Sequence, residues 1–272
     1  MPELAEIKIM SDHINNKCSN KKFYKIWKNP SHKSKTDLSE VEKILSEGAY
    51  IKSESRGKEL RIDFYNESNN ISVYFMMGMS GNFKYTEQIS EIPKHTHLKF
   101  CSDQYDLCMY DLRRFARWKV DNKWNENRGP CPVTEFDDFS KKIYNSLEGK
   151  NFHKPMYDLI MDQEFFNGIG NYLRAEILGR INSNPKSPAR DYIKSNPEVI
   201  TLCNKIPKEA YLLGGGRLKD WYNNEDILDK GMDFRSWMKF YGIREKCFPL
   251  KDSKKRTFWI DKKWVEANYQ PT

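Results

Sequence analysis

QEFFNGIGNYLRAEIL, residues 163–178, decides how the second half of this chain is read. Gly168 and Gly170 flank Ile169, so the backbone there can take positive φ angles and admit a close neighbour. Asn171 stands where a new helix should begin, a position that favours Asn as a cap. Tyr172, Leu173, Ile177 and Leu178 then recur at helical spacing, with Arg174 and Glu176 on other faces. A glycine-relaxed turn that opens onto a helix N-terminus presents free N–H groups and a positive dipole end, which suits a phosphate. An ordinary helical hairpin is the plainer alternative. No strand-like segment precedes the turn and no P-loop lysine follows it, which argues against a dinucleotide or nucleoside-triphosphate site.

Charge points the same way. The 272 residues carry 46 Lys plus Arg against 38 Asp plus Glu, a net charge of +8. Such an excess suits a polyanionic partner, although solubility alone also accounts for it. The chain is 38% hydrophobic and 14% aromatic, lean but sufficient for real cores in one large domain or two ordinary ones. No apolar run is long enough to span a bilayer, and Glu3 and Glu6 interrupt any signal-peptide pattern. The expectation is a soluble intracellular protein with no membrane contact. The cysteines at 18, 101, 108, 131, 203 and 247 form no C-x-x-C pair and read as reduced core residues. His95, His97 and Cys101 lie close in sequence, but no fourth ligand accompanies them, so they are read as structural and no metal site is assigned.

The first half is strand-like and the second helical. An opening helix is expected over 2–17, with Pro2 at its first position and Leu4, Ile7, Met10 and Ile14 in one stripe. Strands are expected at Phe23–Lys28, Ala49–Arg56, Glu59–Tyr65, Ile71–Phe75, Leu98–Cys101 and Asp106–Tyr110, two of them joined by a hairpin at Gly57 and Lys58. Segments 29–37 and 66–70 read as loops. RGPCPV, residues 128–133, marks a domain boundary. The division is therefore 1–128 as an N-terminal domain, 129–133 as linker and 134–272 as a C-terminal domain. Thr134 is expected to cap a helix carrying Phe136, Phe139, Ile143 and Leu147. Further helices are expected near 155–163, 171–180, 197–213 and 234–241, with Gly242 as a stop and strand character returning around Arg256–Ile260.

Met1-Pro2-Glu3 invites chemistry. Removal of Met1 would leave Pro2 as a free secondary amine, able to attack a sugar C1′ and form an iminium ion. Glu3 and Glu6, three apart, can share one side of the first turn and supply a proton donor and acceptor. Acidic residues in a first helical turn are also routine dipole partners.

Taken together, MPELAE (1–6), RGKELRI (56–62), GMSG (78–81), DLRRFARW (111–118), RGPC (128–131) and FNGIGNYLRAEIL (166–178) resemble the formamidopyrimidine-DNA glycosylase and endonuclease VIII family in order and spacing. The endonuclease VIII-like 1 branch is the nearest, through FFNGIGNYLRAEIL and the late RTFW (256–259). The resemblance implies an α+β protein: an N-terminal β-sandwich preceded by a catalytic helix, then a helix–two-turn–helix domain ending in a finger, at about 243–272. It implies a bifunctional DNA glycosylase and abasic-site lyase of base excision repair. Such an enzyme excises oxidised bases, pyrimidines foremost, through a Schiff base on Pro2 followed by β,δ-elimination. By position, Glu3 becomes the general acid/base, Glu6 a supporting carboxylate and Lys58 the catalytic lysine beside the backbone phosphate. Met79, Arg113 and Phe115 fill the void left by an everted base; Asn171 and Arg256 grip phosphate. The implied partner is damaged double-stranded DNA, with single-stranded or bubble DNA as further candidates, met by a monomer in nucleus or cytoplasm. A non-catalytic damaged-DNA-binding protein of the same fold is the alternative, against which intact Pro2, Glu3 and Lys58 argue.

Two departures stand out. Ala5 replaces a proline common in the family. The usual zinc finger needs four cysteines, and only Cys247 lies in that region. KKRTFWIDKK (254–263) instead resembles a zincless antiparallel hairpin, so no zinc or other cofactor is expected. There Lys254, Lys255, Lys262 and Lys263 should face solvent or DNA, relieved by Asp252 and Asp261. Residues 212–230 should hold the loop over the flipped base, and no lesion-reading residue is assigned in it.

Overall fold

The computed structural model describes residues 2–87, 92–216 and 233–266, which fall into two compact units. The first holds α1 (Leu4–Cys18) from Glu6 onward, β1 (Phe23–Lys28), α2 (Ser39–Ser46), β2 (Tyr50–Arg56), β3 (Glu59–Tyr65), β4 (Asn70–Met76), β5 (Gly81–Glu87), β6 (Thr96–Ser102), β7 (Tyr105–Asp111) and β8 (Arg117–Val120). Among the described residues, the strands form two antiparallel sheets in the orders β1-β6-β7-β5 and β2-β3-β4-β8. Alternation explains the buried face: Leu60, Ile62 and Phe64 of β3 point one way and are buried. Phe64 meets Phe100 at 4.9 Å between ring centroids, and Phe75 meets Phe83 at 5.1 Å, so aromatic rings from both sheets fill the layer between them. This is the expected sandwich. α2 was not anticipated; its Val41, Ile44 and Leu45 recur at helical spacing and are buried.

The second unit holds Glu3–Ala5 together with α3 (Phe136–Asn145), a 3-10 turn at Lys150–His153, α4 (Met156–Leu159), α5 (Asn171–Gly179), α6 (Ala189–Ser195), α7 (Glu198–Leu212), α8 (Phe234–Trp237), β9 (Cys247–Lys251), β10 (Thr257–Asp261) and α9 (Lys263–Glu266). Leu4 and Ala5 join a core that runs through Phe139, Phe166, Leu173, Ile177 and Ile206 to Phe258 and Ile260. The hairpin β9–β10 therefore docks one face into the helical core. Trp259, on the alternate face, packs with Ala175, Phe240 and Cys247.

Several local expectations change. α1 begins at Leu4, not at Pro2, which lies ahead of the helix. Thr134 does not cap α3: Glu135 takes that place, without a side-chain cap bond, and accepts instead from the Cys131 N–H at 2.7 Å. Likewise Gly170 is the cap residue of α5 and Asn171 its first helical residue. The helix expected over 234–241 stops at Trp237, because the backbone N–H groups of residues 239–241 turn to a buried carboxylate, that of Glu176. No described helix is long and apolar enough to cross a membrane.

Candidate functional site

In the first unit, β2 and β3 pair in a register that sets Arg56 opposite Glu59, leaving Gly57 and Lys58 as a two-residue loop. Gly57 takes φ +58°, the left-handed first position that such hairpins ask of glycine. Lys58 thus sits at the tip, half-buried, and Glu6 is buried in α1.

Met79 on one loop and Arg113 and Phe115 on another are set against each other by the fold. A side chain at Gly78 (φ +57°) would meet Phe115 Cβ at 2.8 Å and its carbonyl at 2.9 Å, so only glycine allows this approach. Asp111 staples the second loop, accepting from the N–H of Arg113 at 3.1 Å and of Ala116 at 2.7 Å. It also accepts from the Ser80 hydroxyl of the first loop. The Arg113 guanidinium lies 5.1 Å from the Phe115 ring centre. Met79 is 43% and Phe115 52% exposed. An aromatic ring and a thioether held outward on braced loops serve no core. His95 and His97 are structural: His95 packs edge-on to Tyr110, and His97 Nε2 bonds the Asp111 carbonyl at 2.9 Å. Among the described residues, no group of three or more His, Cys, Asp or Glu is placed to hold a metal.

In the second unit, the start of α5 is filled from within the chain. The Glu3 carboxylate, buried, accepts from the N–H of Tyr172 at 3.1 Å and of Leu173 at 3.2 Å. Two of the donors expected to receive a phosphate are thus spent on a carboxylate, which the positive helix end suits equally well. Gly168, at φ +100°, accepts from the Leu4 N–H at 3.1 Å, fixing the residue that follows Glu3. Pro2 is half-buried beside it in sequence.

Arg174 and Glu176, expected on faces of α5 other than the apolar stripe, are both fully buried. Glu176 accepts from the N–H groups of Lys239, Phe240 and Tyr241 at 2.9–3.1 Å and pairs with Arg180. Arg174 donates to Asn171 Oδ1, to the Tyr157 carbonyl at 3.0 Å and to Asp252 at 2.9 Å. Asp252, expected to relieve hairpin lysines, is buried instead and also accepts from Arg256 Nε at 2.7 Å. Burial pushes its carboxyl upward, but the Arg256 N–H and the two guanidiniums outweigh that and hold it below the usual carboxylate range. Lys254 and Lys255 are exposed. The hairpin does not fit a zinc ion: its one cysteine, Cys247, is a buried thiol pushed up to about 11 by burial, a poor thiolate donor. Most of the block 212–230, where the loop over the flipped base is expected, lies outside the described residues.

Residues 1–118 match the family model for the formamidopyrimidine-DNA glycosylase N-terminal domain. The chain is 32% identical to human Endonuclease 8-like 1, with 96% of this chain and 72% of that protein covered. It is 29% identical to a Wolbachia formamidopyrimidine-DNA glycosylase, with 81% and 82% covered. Among solved structures it is similar to Lactococcus lactis Fpg in complex with DNA containing an abasic site, at a TM-score of 0.79 and 19% identity, covering 95% of this chain and 97% of that one. A second Lactococcus lactis complex, with DNA containing an oxidised pyrimidine, matches at 0.79 and 19%, covering 96% and 98%. The chain belongs to the formamidopyrimidine-DNA glycosylase and endonuclease VIII family.

Proposed function

We propose that this protein is a DNA glycosylase with abasic-site lyase activity, acting in base excision repair on damaged double-stranded DNA inside the cell. Family membership supports the reaction class. Within the chain, the observation that carries it is the outward trio Met79, Arg113 and Phe115. Everting a base costs a few kcal/mol of stacking and pairing; a thioether and a ring restack the gap while the guanidinium bonds the estranged base. The Lactococcus lactis complex with an oxidised pyrimidine supports oxidised bases as substrates.

With Met1 removed, the Pro2 nitrogen attacks C1′, the glycosidic bond breaks and the base departs with a proton. Glu3, whose direction is fixed by two N–H groups of α5, protonates the sugar-ring oxygen as the ring opens to the iminium ion. It then relays the proton lost from C2′ as the 3′ phosphate is expelled, and a second proton is lost from C4′ as the 5′ phosphate follows. Glu6 supports the local charge, and Lys58 at its hairpin tip neutralises a backbone phosphate. Asn171 and Arg256 hold flanking phosphates. Zinc and other cofactors take no part.

Borohydride trapping on a duplex with an abasic site tests the reading. A covalent protein–DNA adduct is expected. Binding without an adduct would favour the non-catalytic DNA-binding alternative, and absence of both would reject the assignment.

A further inference from the structure

The hairpin raises a physical problem. Its one guanidinium proposed to grip DNA stands on a short two-stranded ribbon, which is marginal by itself, and its residues do not fit a metal that could tie the strands. The ribbon docks in the helical core, and what fixes its guanidinium is one carboxylate. Asp252 Oδ1 accepts from the backbone N–H of Lys254 at 3.0 Å and of Arg256 at 2.8 Å, closing the turn. Its Oδ2 accepts from Arg256 Nε at 2.7 Å and from Arg174 Nη1 at 2.9 Å. Arg174 and Asp252 are both 0% exposed at the side chain. The Arg174 guanidinium lies 4.8 Å from the Phe258 ring centre, and that ring stacks on Tyr157 at 5.2 Å. Its other nitrogen, Nη2, reaches Asn171 Oδ1 and the Thr257 carbonyl. Arg256 is held by Nε alone, so its two Nη groups have no protein partner among the described residues.

We propose that Asp252 is the positioning residue of the DNA grip, orienting Arg256 directly and Asn171 through the buried Arg174, in the role that a finger metal would otherwise fill. This rests on the reading above that Arg256 and Asn171 hold phosphates. A guanidinium held by Nε presents its Nη pair as a fork, the geometry that takes a phosphate bidentately. The buried pair is better suited to fixing geometry than to adding stability, since an apolar pair of similar volume often stabilises as well or better.

That asymmetry supplies the test. Asp252→Asn alone strands a buried guanidinium, so the informative variant is Arg174→Met with Asp252→Leu. Its melting temperature should stay within about 5 °C of wild type. Binding to a duplex carrying a tetrahydrofuran abasic analogue should show a log–log salt slope smaller by about 0.9–1.8, one or two phosphate contacts. Lesion excision should fall ~100-fold, as for a misplaced binding group. Adding Arg256→Ala to this double variant should change binding little, whereas in wild type it should remove the contact. A stable double variant with wild-type slope and excision overturns the proposal. Should it not fold, nitrogen-15 NMR of the wild-type protein decides: the Arg256 Nε–H, assigned by its loss in Arg256→Ala, should be ordered and slow to exchange, and a freely mobile one overturns the proposal. Wild-type protein that forms no borohydride adduct would instead reject the glycosylase reading, while the NMR result would still stand.

Discussion

At the scale of single residues, Glu3 carries the sharpest expectations. Glu3→Gln keeps an oxygen for one of the Tyr172 and Leu173 N–H groups, which bond Oε1 and Oε2 separately, and has no acid proton to give. Excision of an oxidised base should fall by ~10²–10⁴, while cleavage of a pre-formed abasic site persists in part, because that sugar opens without a departing base. Lys58→Ala should impair excision and leave a residual lyase. Gel assays on lesion-bearing and abasic duplexes check both, and equal collapse of excision, lyase and binding in the two variants would contradict the assigned roles. Pro2 makes a further demand: with Met1 attached its nitrogen is a tertiary amide and cannot attack. Intact mass spectrometry of the borohydride adduct should therefore find the chain beginning at Pro2; an adduct retaining Met1 would remove Pro2 from the mechanism. Lys58, Met79, Arg113 and Phe115 are assigned from sequence only as members of ordered motifs, since alone each reads as a surface or core residue. Arg174 and Asp252 were not legible, because a charge in a helix or turn pattern reads as solvent-facing. Only the folded chain brings two residues 78 apart into one buried pair.

At the scale of elements, the hairpin and α1 behave differently. Arg256→Ala should weaken capture of damaged DNA and excision far more than it lowers stability, because Asp252 keeps Arg174 as partner and the fold loses about 1 kcal/mol of hydrogen bonding. Binding titrations beside thermal melts check this, and full excision by the variant would contradict it. In α1, burial first and the Lys17 charge second lower the His13 pKa from 6.5 to about 4. The folded form therefore disfavours the proton that the unfolded chain accepts. Its contribution is fully present above pH 6.5 and is lost as pH falls towards 4, a difference on the order of 3 kcal/mol. Urea unfolding at pH 7 and pH 4.5 should show the loss, and His13→Gln should flatten that part of the profile; an unchanged slope in the variant would place the titration elsewhere. β1, β3 and the hairpin at Gly57 were legible because alternation and turn chemistry agree there. β5, GNFKYTE, was not, because the strand is mostly polar and its pairing with β7, not its pattern, makes it a strand.

At the scale of the whole molecule, the hairpin's chemistry predicts that elemental analysis finds no stoichiometric zinc and that chelators leave excision and melting unchanged; stoichiometric zinc would overturn the zincless reading. The two-part division shows in sequence through the change from alternating to helical spacing. The membership of Glu3–Ala5 in the second unit does not, because no local pattern encodes a partner so distant. The bonds from Glu3 to Tyr172 and Leu173 span 169 and 170 positions. On the ribosome, at roughly 5–20 residues per second, the proposed general acid is made 169 residues ahead of the first N–H group of α5 that orients it. A message cut short before that helix yields a chain whose acid has nothing to hold it. Fragments of this enzyme that lack α5 should therefore release no damaged base, because the means to orient Glu3 arrives late in synthesis.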